Sequence, residues 1–523
     1  MLRRRSFTTG IGTAGLAAST GLPMPAIAQS VGMQGKKGGD VIVAMTAAPP
    51  TIDAQATSAA AARNISMHMF ESLYTRDEGA NPKPELAEGV DISADGLTYK
   101  FTLRGGVKFH NGKVMTSADA KASMQRYAKV GTSRDVLKPV AAYETPDSKT
   151  LVMKLNTVFP GLIEAISSPR APFVIMPEED GGKAMGQISM VGTGPFKFVE
   201  YKPDSHVKMV RFDDYTQNTA YEKRDGFTGK KTAYFDSVTI RIMPEAGART
   251  AGLQTGELHV LEVMDVASSK RLKDDKNIKS YPMLPWAFMT LMVNNNWGVT
   301  SKLELRRAIQ AALDLEEIMA ISTDGLYRMG PSWQYPGTTY YPGVDGLEAY
   351  TKQDVKKAQA LMKAGGYAGE ELVLICDSSN KPHLDAGTVQ AQQLKAAGFN
   401  VKLSVMDWPT VYTARSKPEG WNLWPLMMGI EPYEGPYNVV GFFAGTQCVQ
   451  IKPDPVLEQC NQRLASQLKL EDRKAAVKDF QNRIYDQAIS IKVGEAGIVQ
   501  ATRANVMNYA PYRIPRMWDC WFA

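Results

Sequence analysis

Histidine and cysteine are scarce in this chain: 523 residues contain five His and four Cys. No two of His68, His110, His206, His259 and His383 stand three or four positions apart, so no helix face offers the paired imidazoles of a zinc hydrolase. Cys376, Cys448, Cys460 and Cys520 fit no zinc spacing. Walker loops, G-x-S-x-G elbows and EF-hand loops are missing as well. The paired acids Glu316-Glu317 read as the first turn of a helix, and neither they nor Asp213-Asp214 read as a general acid/base pair. Neither a catalytic residue nor a cofactor is therefore expected. Charge of one sign is not in large excess: 60 basic residues face 54 acidic ones, and Arg3, Arg4 and Arg5 supply half of the net +6. That balance makes no case for nucleic acid or an anionic membrane as partner. Beyond the N-terminus no run of about 18 apolar residues occurs, so no transmembrane helix is read.

What the N-terminus does have is three consecutive arginines. In RRRSFTTGIGTAG (3–15) the glycines at 10, 12 and 15 have the spacing of a dinucleotide loop. Such a loop must follow a buried strand, with an acidic residue about 20 positions later. Only nine residues precede Gly10, and residues 1–28 contain no Asp or Glu. The layout fits an export signal instead: a basic start, a weakly apolar stretch, and an A-x-A cleavage site at Ala26-Ile27-Ala28. Arg4, Arg5 and Phe7 match the R-R-x-F core of twin-arginine signals. The expectation is cleavage after Ala28 and a mature protein, starting at Gln29, in the periplasm. No cysteine lies near the cleavage site to carry a lipid. That compartment permits disulfides. Cys448 and Cys460 flank one loop, and a bridge between them and two buried free thiols both fit.

The length exceeds what one hydrophobic core usually serves, so two or three domains are expected. DVIVAM (40–45) reads as a buried strand that ends in the loop AAPPT. Ile65, Met69 and Leu73 have helical spacing and predict a helix over 59–74. LTYKFTL (97–103) alternates like a half-buried strand. Capping pairs Thr116/Asp119, Ser301/Glu304, Asp314/Glu317 and Thr351/Asp354 predict helix starts, the last helix stopping at Gly365-Gly366. Between 370 and 410 strand, helix and strand alternate, which argues for a parallel sheet. Between 190 and 243 strand follows strand, as in an antiparallel or mixed sheet. The fold class is α/β, with mixed sheets in more than one lobe.

DGLTYKFTLRGGVKFHNGKVMTSADAKAS (95–123) resembles the signature of the family 5 solute-binding proteins of ABC importers, the peptide/nickel group. Leu103-Arg104 and the run Gly106 to His110 fit; Asn111 replaces the usual Asp and Met115 the usual Phe. VGTGPFKFVEYKPDSHVKMVRFDDY (191–215), LQTGELHVLEV (253–263), LMVNNNWGVTSKLELRRAIQAALDLEEIM (291–319) and NVKLSVMDWPTVYTA (400–414) resemble further blocks of that family, in family order. The resemblance implies the type II periplasmic binding protein fold: two lobes with mixed sheets, a hinge, and an inserted small domain. It places the signal peptide at 1–28 and lobe one at 29–70, 190–288 and 490–523. The insert falls at 71–189 and lobe two at 289–489, with crossings near 288 and 489. It implies a monomeric receptor that captures a small organic solute, a short peptide or a peptide-like or cationic compound, between the lobes. The receptor delivers it to membrane permease subunits driven by cytoplasmic ATPase subunits. An enzyme on the same fold and a receptor that reports to a sensor are the alternatives.

A trap of this kind needs apolar and aromatic walls with a few placed polar groups. The candidate ligand-binding residues lie in loops that follow strands. They are Pro49 in AAPPTID, Trp286 in LPWAFM, Trp333 and Tyr335 in GPSWQYPG, and Trp421, Trp424, Glu431, Tyr433 and Glu434 in WNLWPLMMGIEPYEGPYN. In peptide-binding relatives an Asp before a Pro in this last loop holds the ligand's ammonium. Gly435-Pro436 stands there instead, which leaves Glu431 and Glu434 as the nearby acids.

Overall fold

Strand Glu371–Asp377 carries a continuous apolar run because both of its faces are covered. Leu372, Leu374 and Cys376 enter one core, and Val373 and Ile375 enter the core on the opposite side. Strand Ile278–Val293 divides its residues the same way, Met289, Leu291 and Val293 against Phe288 and Met292. In Asp40–Met45, likewise, Val41, Val43 and Met45 pack in one core while Ile42 and Ala44 face another. The computed structural model describes residues 35–347, 350, 352–378, 380–429, 434–444 and 451–523. The export-signal residues Arg4, Arg5, Phe7, Ala26 and Ala28, the candidate ligands Glu431 and Tyr433, and Cys448 lie outside the described residues. Cys460 is a buried free thiol in helix Pro455–Ser466.

Eleven of the strands form one mixed sheet. Its order is Asn400–Met406, Glu371–Asp377, Leu423–Met428, Ile278–Val293, Ser490–Arg503, Val260–Met264, Asp40–Met45, Ser237–Ile242, His206–Arg211 and Phe196–Lys202, with Tyr327–Arg328 paired to Ser490–Arg503 beside this path. The parallel pairing of Glu371–Asp377 with Asn400–Met406 follows from the helix between them, Lys381–Ala397. The last three strands are antiparallel neighbours, as strand-after-strand sequence requires.

The two long central strands join the halves. Ile278 to Met283 pairs with Arg503 to Ile498, on the side where Val260–Met264 continues the sheet. Ala287 to Met292 pairs with Ala496 to Ser490, on the side where Leu423–Met428 continues it. Between these ladders the register shifts over Leu284, Pro285 and Trp286, opposite Gly497. A Cβ at Gly497 would sit 2.7 Å from Leu326 Cγ and 2.8 Å from the Met283 carbonyl oxygen, so the strands approach too closely there for any larger residue.

Helices Leu303–Ala312, Leu315–Ser322, Val355–Ala364 and Lys381–Ala397 cover one face of the second lobe's sheet. Tyr437–Ala444, Pro455–Ser466 and Leu470–Asp486 cover the other. The inserted small domain is a separate antiparallel sheet, ordered Ala87–Ile92, Thr98–Leu103, Thr150–Leu155 and Val140–Asp147. Tyr99, Phe101 and Leu103 point into its core, under helix Ser117–Val130. The Thr116/Asp119 capping box starts that helix as expected: Asp119 Oδ2 accepts from the Thr116 amide at 2.8 Å.

Four local expectations change. The helix predicted over 59–74 is only Ala60–Ser66, because the His68 and Met69 carbonyls accept from Phe196 and Gly194 instead of from the next helical turn. Gly192 and Gly194 allow this approach, since a Cβ on Gly192 would collide with the Met69 carbonyl. Ser301 does not cap a helix; it ends a 3₁₀ turn, its hydroxyl donating to the Gly298 carbonyl, and the helix starts at Leu303. Asp354 itself caps Val355–Ala364, accepting from the Lys357 amide at 2.9 Å, while Thr351 lies outside the described residues. The second strand of the 370–410 alternation stops at Met406: Asp407 caps a new helix, Trp408–Arg415, and accepts from the Thr410 amide at 2.8 Å.

Candidate ligand-binding cleft

A cavity of about 610 Å³ lies between the inserted domain and the second lobe. Its first wall comes from Ser58 and from segments 132–136 and 159–171, and includes Phe159, Glu164 and Arg170. The opposite wall comes from helix Trp408–Arg415, from strand Leu423–Met428 and from helix Tyr437–Ala444. Trp408, Tyr412, Trp424, Tyr437 and Phe442 make this wall aromatic. The volume is that of a typical small-molecule site.

Polar side chains meet across the cleft. The Arg170 guanidinium donates to Glu434 Oε1 at 2.9 Å, with the Glu434 carboxylate only 3% exposed and Arg170 46% exposed. The Tyr340 hydroxyl donates to Glu164 Oε1 at 3.3 Å and lies 3.2 Å from the Tyr437 hydroxyl. Arg473 donates to the Tyr340 hydroxyl at 3.1 Å and approaches Glu164 at 4.0 Å. Burial raises both tyrosines, so the hydroxyls stay protonated at neutral pH. On the first wall the Tyr437 ring rests against Gly161, where a Cβ would come within 2.7 Å of the ring.

Of the residues singled out in the sequence, Trp424 and Glu434 line this cavity. Trp333 and Tyr335 are buried in the second lobe's core, Tyr335 with its ring 4.6 Å from Phe288. Trp421 packs in the same core and donates its indole N–H to the Lys417 carbonyl at 3.0 Å. Trp286 sits at the register shift between the lobes, beneath the Arg513 guanidinium at 4.7 Å. Pro49 is buried, and its carbonyl accepts from the Tyr201 hydroxyl at 3.4 Å. Arg170, Glu164, Phe159, Arg415, Trp408 and Tyr412 went unread. For the last three a signal existed: positions 408, 412 and 415 share one helix face. Arg170, in SSPRAPF, has no periodic pattern to betray it.

The most perturbed carboxylates lie elsewhere. Lys231, Glu71 and Glu85 are each about 1% exposed, and Lys231 Nζ is 3.0 Å from both carboxylates. None of them lines the cavity. Burial pushes Glu85 up to about 7; it also works against the charge of Glu71, which Lys231 nonetheless draws down to about 2. His110, inside the family-like signature, is likewise occupied: Nε2 is 3.0 Å from the Gly194 carbonyl and Nδ1 accepts from the Gly192 amide at 3.2 Å. Burial lowers it to about 4. These groups fasten segments to one another and do not line the cavity.

Comparison with known proteins agrees with this arrangement. The sequence matches the family described as "Bacterial extracellular solute-binding proteins, family 5 Middle" over residues 81–448. It is 25% identical to the "Probable peptide ABC transporter periplasmic-binding protein y4tO" of Sinorhizobium fredii, over 97% of each chain. The fold is similar to that of the ABC transporter substrate-binding protein CtaP of Listeria monocytogenes, with TM-score 0.80 and 22% identity over 93% of this chain and 100% of that one. It is similar also to NikA of Brucella suis, solved in complex with Fe(III)-EDTA, with TM-score 0.81 and 19% identity over 93% of this chain and 100% of that one. Two lobes joined by two strands, an inserted domain and a cleft walled from both sides thus coincide with a match over most of the sequence, and the chain belongs to the bacterial extracellular solute-binding proteins of family 5.

Proposed function

We propose that this protein captures a small organic solute in the cleft, closes on it about the register shift at 284–286, and hands it to the permease subunits of an ABC importer. The relative from Sinorhizobium fredii, whose name assigns it to a peptide ABC transporter, supports the short-peptide or peptide-like class. The observation that carries the reading is the cavity of about 610 Å³ whose walls come from both sides of the hinge. Closure is a rigid-body movement that a solute favours by touching both walls. The hinge is assigned to residues 284–286 and 497, where the ladder of the two long strands is interrupted. The protein acts as a monomer, is not an enzyme, and works outside the inner membrane after removal of residues 1–28. A mature chain beginning at Gln29 in the periplasmic fraction tests this last point. Among the described residues no helix is long and apolar enough to cross a membrane.

The Arg170–Glu434 pair acts as a latch on the closed form. Because Arg170 is 46% exposed, solvent screens the pair and its worth is modest, about 1 kcal/mol. Arg170→Met is expected to open the solute-free protein and to weaken solute binding about fivefold. Energy transfer between one dye on the inserted domain and one on the second lobe measures this. A distance distribution identical to that of the parent protein would refute the latch.

A further inference from the structure

The last segment of the chain reaches the hinge. Arg513 is 7% exposed and belongs to neither of the two strands that cross between the lobes. Its guanidinium donates to the Trp286 carbonyl at 2.8 Å and to the Pro285 carbonyl at 3.4 Å, and it stands 4.7 Å over the Trp286 ring. Both carbonyls fall where the ladder of the long strands is interrupted, so the guanidinium fork takes the place of a ladder donor. The neighbouring residue grips a different element. The Tyr512 hydroxyl donates to the Asp77 carbonyl at 2.8 Å, at the entry of the inserted domain, and Arg516 donates to Glu78 Oε1 at 2.7 Å. Gln500, which pairs with Tyr281 on the first-lobe side of the hinge, holds this segment down. Its Nε2 donates to the Tyr512 carbonyl at 2.8 Å, and its Oε1 accepts from the Tyr512 amide at 3.3 Å. Consecutive residues, Tyr512 and Arg513, thus tie the inserted domain and the hinge to the first lobe. Neither Arg513 nor Trp286 lines the cavity.

We infer that Arg513 is a positioning residue for closure: it fixes the bend at 285–286 in the form in which the cleft walls meet, and so raises the population of that form without touching the solute. The inference rests on the hinge-closing receptor reading above. Movement of two lobes about a hinge changes the backbone dihedrals there, which re-aims the carbonyls of Pro285 and Trp286. A fork held in plane by an aromatic ring, on a segment anchored through Tyr512, cannot follow both carbonyls. The Arg170–Glu434 contact across the cleft shows that the present arrangement is the one in which the walls meet. Contacts made in one form and lost in the other shift the equilibrium towards the first.

Energy transfer between one dye on the first lobe and one on the second reads the closed fraction, in mature protein freed of solute by unfolding and refolding. Arg513→Met is expected to lower the ratio of closed to open form at least about tenfold, as for the loss of hydrogen bonds from a charged group. Arg513→Lys, which keeps the charge and one donor but not the planar fork, should restore part of it. Trp286→Leu leaves both carbonyls in place and removes the stacking ring, so it should shift the ratio in the same direction by less. Distance distributions that match the parent protein's in both Arg513→Met and Trp286→Leu overturn the assignment and leave the receptor reading standing. A fall in melting temperature with no change in distance does the same, since it reduces Arg513 to packing. A parent protein whose lobes keep one fixed separation, with and without an added mixture of di- to tetrapeptides, counts against hinge closure and against the inference together.

Discussion

Lys231→Met is expected to cost about 3–5 kcal/mol of stability, the range for removing one partner of a buried ion pair. The substitution leaves Glu71 and Glu85 facing each other with no cation in a site where each is 1% exposed. Arg104 is near but committed, its guanidinium bonded to the carbonyls of Glu85, Thr216 and Gln217. The Tyr215 hydroxyl donates to Glu71 at 2.8 Å and supplies no charge. The loss should spread beyond the triad, because Glu71 and Glu85 belong to the entry of the inserted domain while Lys231 belongs to the first lobe and lies 5.7 Å from the Trp518 ring near the C-terminus. Urea denaturation followed by tryptophan fluorescence measures it. A loss under about 1 kcal/mol would mean that the triad is not a structural fastening.

The same triad sets a pH dependence. Glu85 is raised from 4.5 to about 7, so its contribution to stability is complete below pH 4.5 and is lost as the pH rises through about 7. Glu71 behaves oppositely, since its lowered value makes a contribution that is lost only as the pH falls from 4.5 towards about 2. Between about pH 5 and pH 8 the first effect dominates. Glu85→Gln keeps the shape and removes the titration, so its melting temperature should gain on that of the parent protein across this window. Parallel profiles would contradict the assignment of the raised group to Glu85.

Trp424→Ala is expected to weaken solute binding by at least about thirtyfold, the loss typical of a buried aromatic anchor. Trp424 joins the aromatic wall to the charged group, its ring 6.1 Å from that of Trp408 and 5.2 Å from the Arg415 guanidinium. Trp421→Ala is the control. Trp421 is equally buried in the same core and does not line the cavity. Both variants should lose about 3–5 kcal/mol of stability to the void left behind, but the folded fraction of Trp421→Ala should keep its affinity. Calorimetry with a retained solute separates the two. Equal losses of affinity would show that packing of the second lobe, and not contact with the solute, explains the effect of Trp424.

The contrast between these two tryptophans shows what the sequence could and could not convey. Strand identity was legible wherever both faces are buried, as in ELVLICD, and the parallel pairing followed from the helix in between. Caps were legible where an acid stands next to the helix, as at Thr116/Asp119 and Asp314. Helix length was not legible at 59–74, because carbonyls there bond to a segment more than a hundred residues away. Aromatic content pointed to the second lobe but carried no information on depth. Trp333, Tyr335 and Trp421 fill the core beneath the wall, and Trp424 shares that core but also reaches the cavity. The first wall carries no local mark at all, since Phe159, Glu164 and Arg170 become neighbours of Trp424 and Glu434 only once the chain has crossed between lobes.

Native mass spectrometry of the mature protein, followed by denaturing release and identification of whatever it held, tests the central claim most directly. The receptor role predicts one solute per protein, held only by the folded form and recovered chemically unchanged after prolonged incubation. Recovery of a transformed product, or a folded protein that retains and accepts no small molecule, would contradict it.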